Sequence, residues 1–155
     1  MRGFIDEHLE KKVYTLASSS KRKTNLIIDT GMILLIVIFG WIIEHQLITS
    51  YENFYWDNAI IEYCFALVFL CFINLTYYTL SEYFFSGKTV GKYITKTRAV
   101  TLDNQKMDIK TAFLRSVHRL KSKYYEYDYH ENKAEHDTHS GTKVINDINW
   151  TETDF

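Results

Sequence analysis

Residues 26–43 (LIIDTGMILLIVIFGWII) are apolar on nearly every helical face, with Asp29 as their only formal charge. Residues 60–80 (IIEYCFALVFLCFINLTYYTL) form a second such run, with Glu62 near one end and Asn74 inside. A membrane-spanning helix needs roughly 20 mostly apolar residues to cross a core of about 30 Å, and each run is close to that length. A buried helix of a soluble bundle would show a polar stripe every three or four residues, and residues 32–43 carry none. The pattern predicts two spanning helices. The first starts too late, and lacks a small-residue cleavage site after Trp41, to read as a cleaved signal peptide.

Beyond the second run the pattern changes. Ser86-Gly87 predicts a helix stop. Residues 93–102 (YITKTRAVTL) alternate β-branched and polar positions and predict a strand, with a turn at Asp103-Asn104-Gln105-Lys106. Residues 108–120 (DIKTAFLRSVHRL) have helical period: Ile109, Phe113, Val117 and Leu120 share one face, and Arg115, His118 and Arg119 another. Such a helix either lies in the membrane interface with its cations toward lipid phosphates or packs on the strand. Residues 121–141 read as polar, tyrosine-rich and solvated, TKVI as a second short strand, and the last residues as a loose tail.

Charge fixes the orientation. All 18 Lys and Arg lie in residues 1–23 or 88–143, and none falls between Thr24 and Gly87. Basic loops stay on the cytoplasmic side, so both termini are expected inside and residues 44–59 outside. Trp41, Tyr51, Phe54, Tyr55 and Trp56 would then sit at the outer interface, where amphipathic rings are favoured. The net charge of -1 argues against nucleic acid as a partner. Two cysteines without a CxxC pair exclude a disulfide scaffold or zinc ribbon.

Several residues carry candidate chemistry. Asp29 inside a spanning helix costs about 2.5–3.5 kcal/mol and calls for a partner or a role. In an antiparallel hairpin Asn74, Tyr77 and Tyr78 share its depth and could donate to it, either as an interhelix staple or along an ion path. SGKTVGK (residues 86–92) lacks the first glycine of a phosphate-binding loop, since Glu82 stands there. Its Gly87, Lys88, Gly91 and Lys92 are read as a turn contacting headgroups. His130, His136 and His139, among Asp128, Glu131, Glu135 and Asp137, match no metal-ligand spacing. No metal, cofactor or catalytic constellation is expected.

The chain resembles the RDD family of bacterial membrane proteins. The resemblance lies in RKTNLIID, with Arg22 seven residues before Asp29; in SGKTVGKYITKTRAV after the second run; in LRSVHRL; and in EHDTHSGTKVI, with Asp137 as the family's second Asp. It covers about residues 17–146. Many relatives carry a third hydrophobic segment where this chain has KSKYYEYDYHENKA, so the resemblance is to the two-span branch. It implies architecture more than activity, with transport the proposed role.

Together these readings give an all-α membrane hairpin of two transmembrane helices with a small cytoplasmic α+β appendage, in the bacterial inner membrane. The expected divisions are a cytoplasmic arm (1–23), the hairpin (24–85), a strand–helix–strand segment (86–146) and a tail (147–155). Arg22, Asp29, Arg115, Arg119 and Asp137 are expected to cluster at the inner face, because anions and cations near lipid need counter-charges. The expected activity is non-enzymatic: a small transporter or transporter subunit, or else a membrane anchor or assembly factor. Partners would be the bilayer and either a second copy or another membrane protein.

Overall fold

The computed structural model describes residues 14–48, 59–121, 127–128 and 133–147. Helix α1 (Ser19–Ile48) and helix α2 (Ala59–Phe84) are about 45 and 39 Å long at 1.5 Å per residue. Both are long and apolar enough to cross a membrane, and only 11% of each most apolar stretch is buried. That low burial excludes the core helix of a soluble bundle. On α1 the buried residues are Asn25, Asp29 and Ile33, and on α2 they are Tyr78, Thr79 and Glu82. The helices are therefore covered only toward the end that carries the rest of the chain. Elsewhere Leu35, Phe39, Phe65 and Phe72 stand uncovered.

Helix α1 begins within the Ser run, earlier than residue 24. Ser18 Oγ accepts from Lys21 N–H at 3.4 Å, and Ser18 O from Arg22 N–H at 3.1 Å. The basic cluster Lys21-Arg22-Lys23 is thus the first turn of the helix. Helix α2 ends as Ser86-Gly87 predicts. Ser86 takes φ 51°, and Gly87 N–H donates back to Glu82 O at 2.6 Å, a Schellman closure. Gly87 itself has φ 86°, and a Cβ there would overlap the Ala99 carbonyl.

The expected strand over residues 93–102 splits in two. Residues Val90–Thr95 form helix α3, capped by Thr89, whose side chain accepts from Lys92 N–H. Lys96, left-handed at φ 54°, turns the chain into strand β1 (Thr97–Thr101). Alternation had suggested one long strand, but the Thr89 cap and the Asp29 contact described below fix the first half as a helix. Helix α4 (Ile109–Lys121) follows, with Asp108 accepting from Thr111 N–H at 2.9 Å. Those hydrogen bonds hold the exposed Asp108 carboxyl below its ordinary value.

Strands β2 (Tyr127–Asp128) and β3 (Lys133–Ala134) form a two-residue antiparallel pair. Helix α5 (Glu135–His139) and strand β4 (Thr142–Asn146) complete the described chain. Strand β4 pairs antiparallel with β1, from Thr97↔Asn146 to Thr101↔Thr142. The chain before α1 lines the other side of β4. Ala17 N–H donates to Val144 O and Asn146 N–H to Thr15 O, both at 2.9 Å. A small apolar core of Ala17, Ala99, Met107 and Val144 lies beneath.

Helix α4 packs antiparallel on α2. Going up α4, Arg115 meets Glu82, Ser116 meets Thr79, and Arg119 meets Tyr78. Its orientation is inverted relative to a water-facing helix. Ala112, Arg115, Ser116 and Arg119 are buried, while Ile109, Phe113, Leu114 and Leu120 are exposed. The cations therefore turn inward, not toward lipid phosphates. The expected aromatic belt at Tyr51, Phe54, Tyr55 and Trp56 lies outside the described residues.

Candidate functional site

An alternating chain of charges joins the five helices of the described residues. Lys92 (α3) pairs with Glu82 (α2), whose Oε2 lies 3.2 Å from Arg115 Nε (α4). Arg115 Nη2 lies 2.6 Å from Asp137 Oδ1 (α5), and Asp137 Oδ2 accepts from Arg22 (α1). Arg119 joins at Glu82 Oε1, 3.2 Å away, with its guanidinium 3.8 Å above the Tyr78 ring. Arg115 also donates to Thr142 Oγ1, tying β4 to the hub. Glu82, Arg115 and Asp137 have no exposed surface.

Burial alone would raise the Asp137 carboxyl, but Arg115 and Arg22 beside it hold it well below the usual range. Burial pushes the Lys92 ammonium down to about 8, with Arg115 and Arg119 acting in the same direction against Glu82. Burial likewise keeps His136 well below an ordinary imidazole, although Asp137 stands 3.4 Å from its Nε2. For Arg119 burial opposes the charge, yet Glu82 and Tyr78 raise its value further.

Asp29 stands apart from this hub, contrary to the expected five-residue cluster. Its carboxylate accepts from Tyr77 Oη at 2.9 Å, Thr89 Oγ1 at 2.7 Å and Gly91 N–H at 2.8 Å. Arg22, one residue-heptad away on α1, reaches Asp137 instead. Three neutral donors from two segments thus solvate a carboxylate that, among the described residues, no cation touches directly. Of the expected interhelix partners, Tyr77 binds Asp29, whereas Tyr78 packs under Arg119. Asn74 does neither; its Oδ1 is buried without a hydrogen bond.

The headgroup reading of the turn needs the most correction. Lys92 and Gly91 are buried, and a Cβ at Gly91 would fall 2.5 Å from Asn25 O. The Asn25 amide sits between the hydroxyls of Thr95 and Thr97, locking α1 against α3 and β1. Gly87 is buried against Ala99. Lys88 is half-buried and pairs with Asp147, which also accepts from Arg98 Nε at 2.9 Å. The turn folds inward because its backbone N–H and Thr89 hydroxyl are the donors Asp29 requires.

Asp137 joins Arg22 and Arg115 as the expected cluster had it, so the reading of residues 121–141 as solvated does not hold for α5. Glu82 was missed as a site residue. Its signal was available: a carboxylate in an apolar helix, one turn before the helix-ending glycine. Among the described residues no three His, Cys, Asp or Glu side chains converge as metal ligands.

Comparison with known proteins adds one match. A family model described as the RDD family covers residues 16–139. No curated protein and no solved structure matches the chain. The matched span contains both uncovered apolar helices and every charged member of the hub. The chain belongs to the RDD family, and is a membrane protein.

Proposed function

We propose that the chain is a subunit of a small transporter for ions or small solutes. It sits in the bacterial inner membrane with both termini and the α3–β4 region on the cytoplasmic side. The buried hub carries this reading. An anchor needs only apolar spans and an accessible appendage. Burying three cations, with a fourth half-buried, around two carboxylates gives little net stability over apolar packing, so a folding role alone is a weak reason to keep them. Ionisable groups held at a membrane boundary are a feature of solute and proton paths.

Two spans cannot enclose a pathway, so the active form is an oligomer that uses the uncovered faces of α1 and α2. Their Lys/Arg-free course between basic flanks supports the orientation. Helix α4, running back along α2 with Phe113 and Leu114 uncovered, rests against the inner leaflet. The proposal assigns the chain no catalysis.

Flux measurements on purified protein in vesicles, across a panel of ions, test it. Wild type is expected to move at least one ion or solute, and both Asp29→Asn and Glu82→Gln, which neutralises a hub carboxylate, to abolish that flux at normal expression. A second reading draws on the threefold donor set around Asp29, which suits a fixed staple. In that reading the chain is a membrane anchor or assembly factor that binds a protein partner. It is favoured if wild type moves no solute and Asp29→Asn leaves partner recovery intact.

A further inference from the structure

Helices α3 and α4 are both turned inside out for a body in water. On α3, Gly91 and Lys92 are buried, while Tyr93 and Ile94 are 73% and 60% exposed. On α4, Arg115 and Arg119 are buried, while Phe113 and Leu120 are exposed. Just before α3, Phe84 and Phe85 at the end of α2 are 66% and 67% exposed. In water this arrangement loses the gain of apolar burial and adds the cost of desolvating cations. Against hydrocarbon both signs reverse, and ionisable side chains face inward and pair, as they do here.

Both helices also reach along the spans. Gly91, in the first turn of α3, donates to Asp29, which lies six residues past Lys23 on α1. At 1.5 Å per residue that is about 9 Å. Arg119 lies over the Tyr78 ring, six residues inside the Phe84 end of α2 and so again about 9 Å from it. Half of a bilayer core is about 15 Å, so both contacts fall within the depth of one leaflet.

Backbone outside a helix is tolerated at such depth only where protein covers it. The connection from α2 to α3 meets that condition. Gly87 and Thr89 are buried. Gly87 N–H donates to Glu82 O, and Gly87 O accepts from Ala99 N–H at 2.9 Å. The exposed charges on the two helices are Lys110 and Lys121. Lysine stems can lie along lipid while their ammonium groups reach the headgroups.

We propose that α3, the end of α2 and the outer face of α4 form one apolar collar embedded in the acyl chains of a single leaflet. Lipid, not water, then covers the outer side of the hub at Lys92, Glu82 and Arg119. The occupant is lipid because the collar continues the uncovered surface of α2 through Leu80 and Phe84. The collar rests on the contact of α4 with the inner leaflet and extends it to α3 and to the depth of the hub. It is independent of transport.

Spin labelling of the full chain in lipid nanodiscs, which leave both faces open to reagents, tests it. Ile94→Cys and Leu120→Cys are labelled one at a time in a chain carrying Cys64→Ala and Cys71→Ala. Phe39→Cys on α1 and Lys110→Cys on α4 are the references for lipid and water. Collisions with oxygen, which concentrates in lipid, are compared with collisions with a water-soluble nickel chelate. Labels at 94 and 120 are expected to favour oxygen as the label at 39 does, several-fold more than the label at 110.

A preference for nickel at either position equal to that at 110 overturns the collar. Protection from both reagents at either position also overturns it, because protein, such as a second copy, then fills the place of lipid. Should a labelled variant fail to fold, Tyr93→Cys or Phe113→Cys, exposed on the same helices, replaces it. Oxygen preference without vesicle flux upholds the collar and removes the transport reading. Flux with nickel-accessible labels does the reverse.

Discussion

Arg22 and Asp137 are 115 residues apart in sequence and paired in space. The contact closes the molecule. Arg22 lies in the first turns of α1, Asp137 in the one-turn helix α5, and Arg115 lies on the other side of the same carboxylate. Removing Asp137 would leave Arg115 buried without its closest anion, whereas removing Arg22 would leave the Arg115–Asp137 pair in place.

That asymmetry predicts unequal losses. Asp137→Ala should cost about 3–5 kcal/mol, the range for breaking a buried pair, and Arg22→Ala clearly less. The double variant should cost less than the sum, because the two share one interaction. Denaturation in detergent measures all three. Cysteines at positions 22 and 137 should also join through a short bis-thiol reagent in membranes; no crosslink would contradict the pairing.

Acid sensitivity follows from His136 and Asp137. Burial holds the folded His136 below the ordinary imidazole value of about 6.5. Below that pH the unfolded chain binds the extra proton, so stability falls as pH falls. Asp137, held low by Arg115 and Arg22 despite its burial, contributes stability that is present above about pH 4 and lost on further acidification. The thermal midpoint in micelles should decline below about pH 6.5, and His136→Gln should flatten the first part of that decline.

Lys92 predicts the opposite edge. Its folded ammonium is pushed down to about 8 from 10.5, chiefly by burial. Between those values the unfolded chain holds more protons, so stability should rise with pH across that window. Lys92→Met should remove the rise. A midpoint that falls between pH 8 and 10.5 in wild type, with no rise to remove, would mean that Lys92 is not buried as described.

Two glycines separate close packing from spare flexibility. Gly91→Ala forces a Cβ into the Asn25 backbone and disturbs the N–H that serves Asp29, so about 1–3 kcal/mol or more should be lost. Gly31→Ala meets nothing within 4 Å on α1 and should be neutral or slightly stabilising. Unfolding in detergent compares them directly.

Tyr77→Phe removes one of three donors from Asp29 and should cost about 1–2 kcal/mol without changing expression. A cysteine at position 113, on the uncovered face of α4, should resist a membrane-impermeant thiol reagent in inside-out vesicles, which present the cytoplasmic face to the reagent. One at position 110 should label readily. Equal labelling would lift α4 away from the lipid.

The two apolar helices, the stop at Ser86-Gly87, and the helix that holds Arg115 and Arg119 were all legible in the sequence. These are local signals: apolar length, a left-handed turn residue and periodicity. Glu82 was legible only in part, because a lone carboxylate near a helix end has many explanations.

The sequence by itself determined which segments avoid water, since that depends on apolar residues counted along the chain. The tertiary structure decided where the ionisable residues face. Lys92 looked exposed but is buried, Glu82 lies at the centre of a hub it was not expected to join, and Asp29 bonds to hydroxyls and an amide instead of arginine. Burial of a charge depends on partners brought from distant segments, and only the folded backbone fixes which of them come within reach.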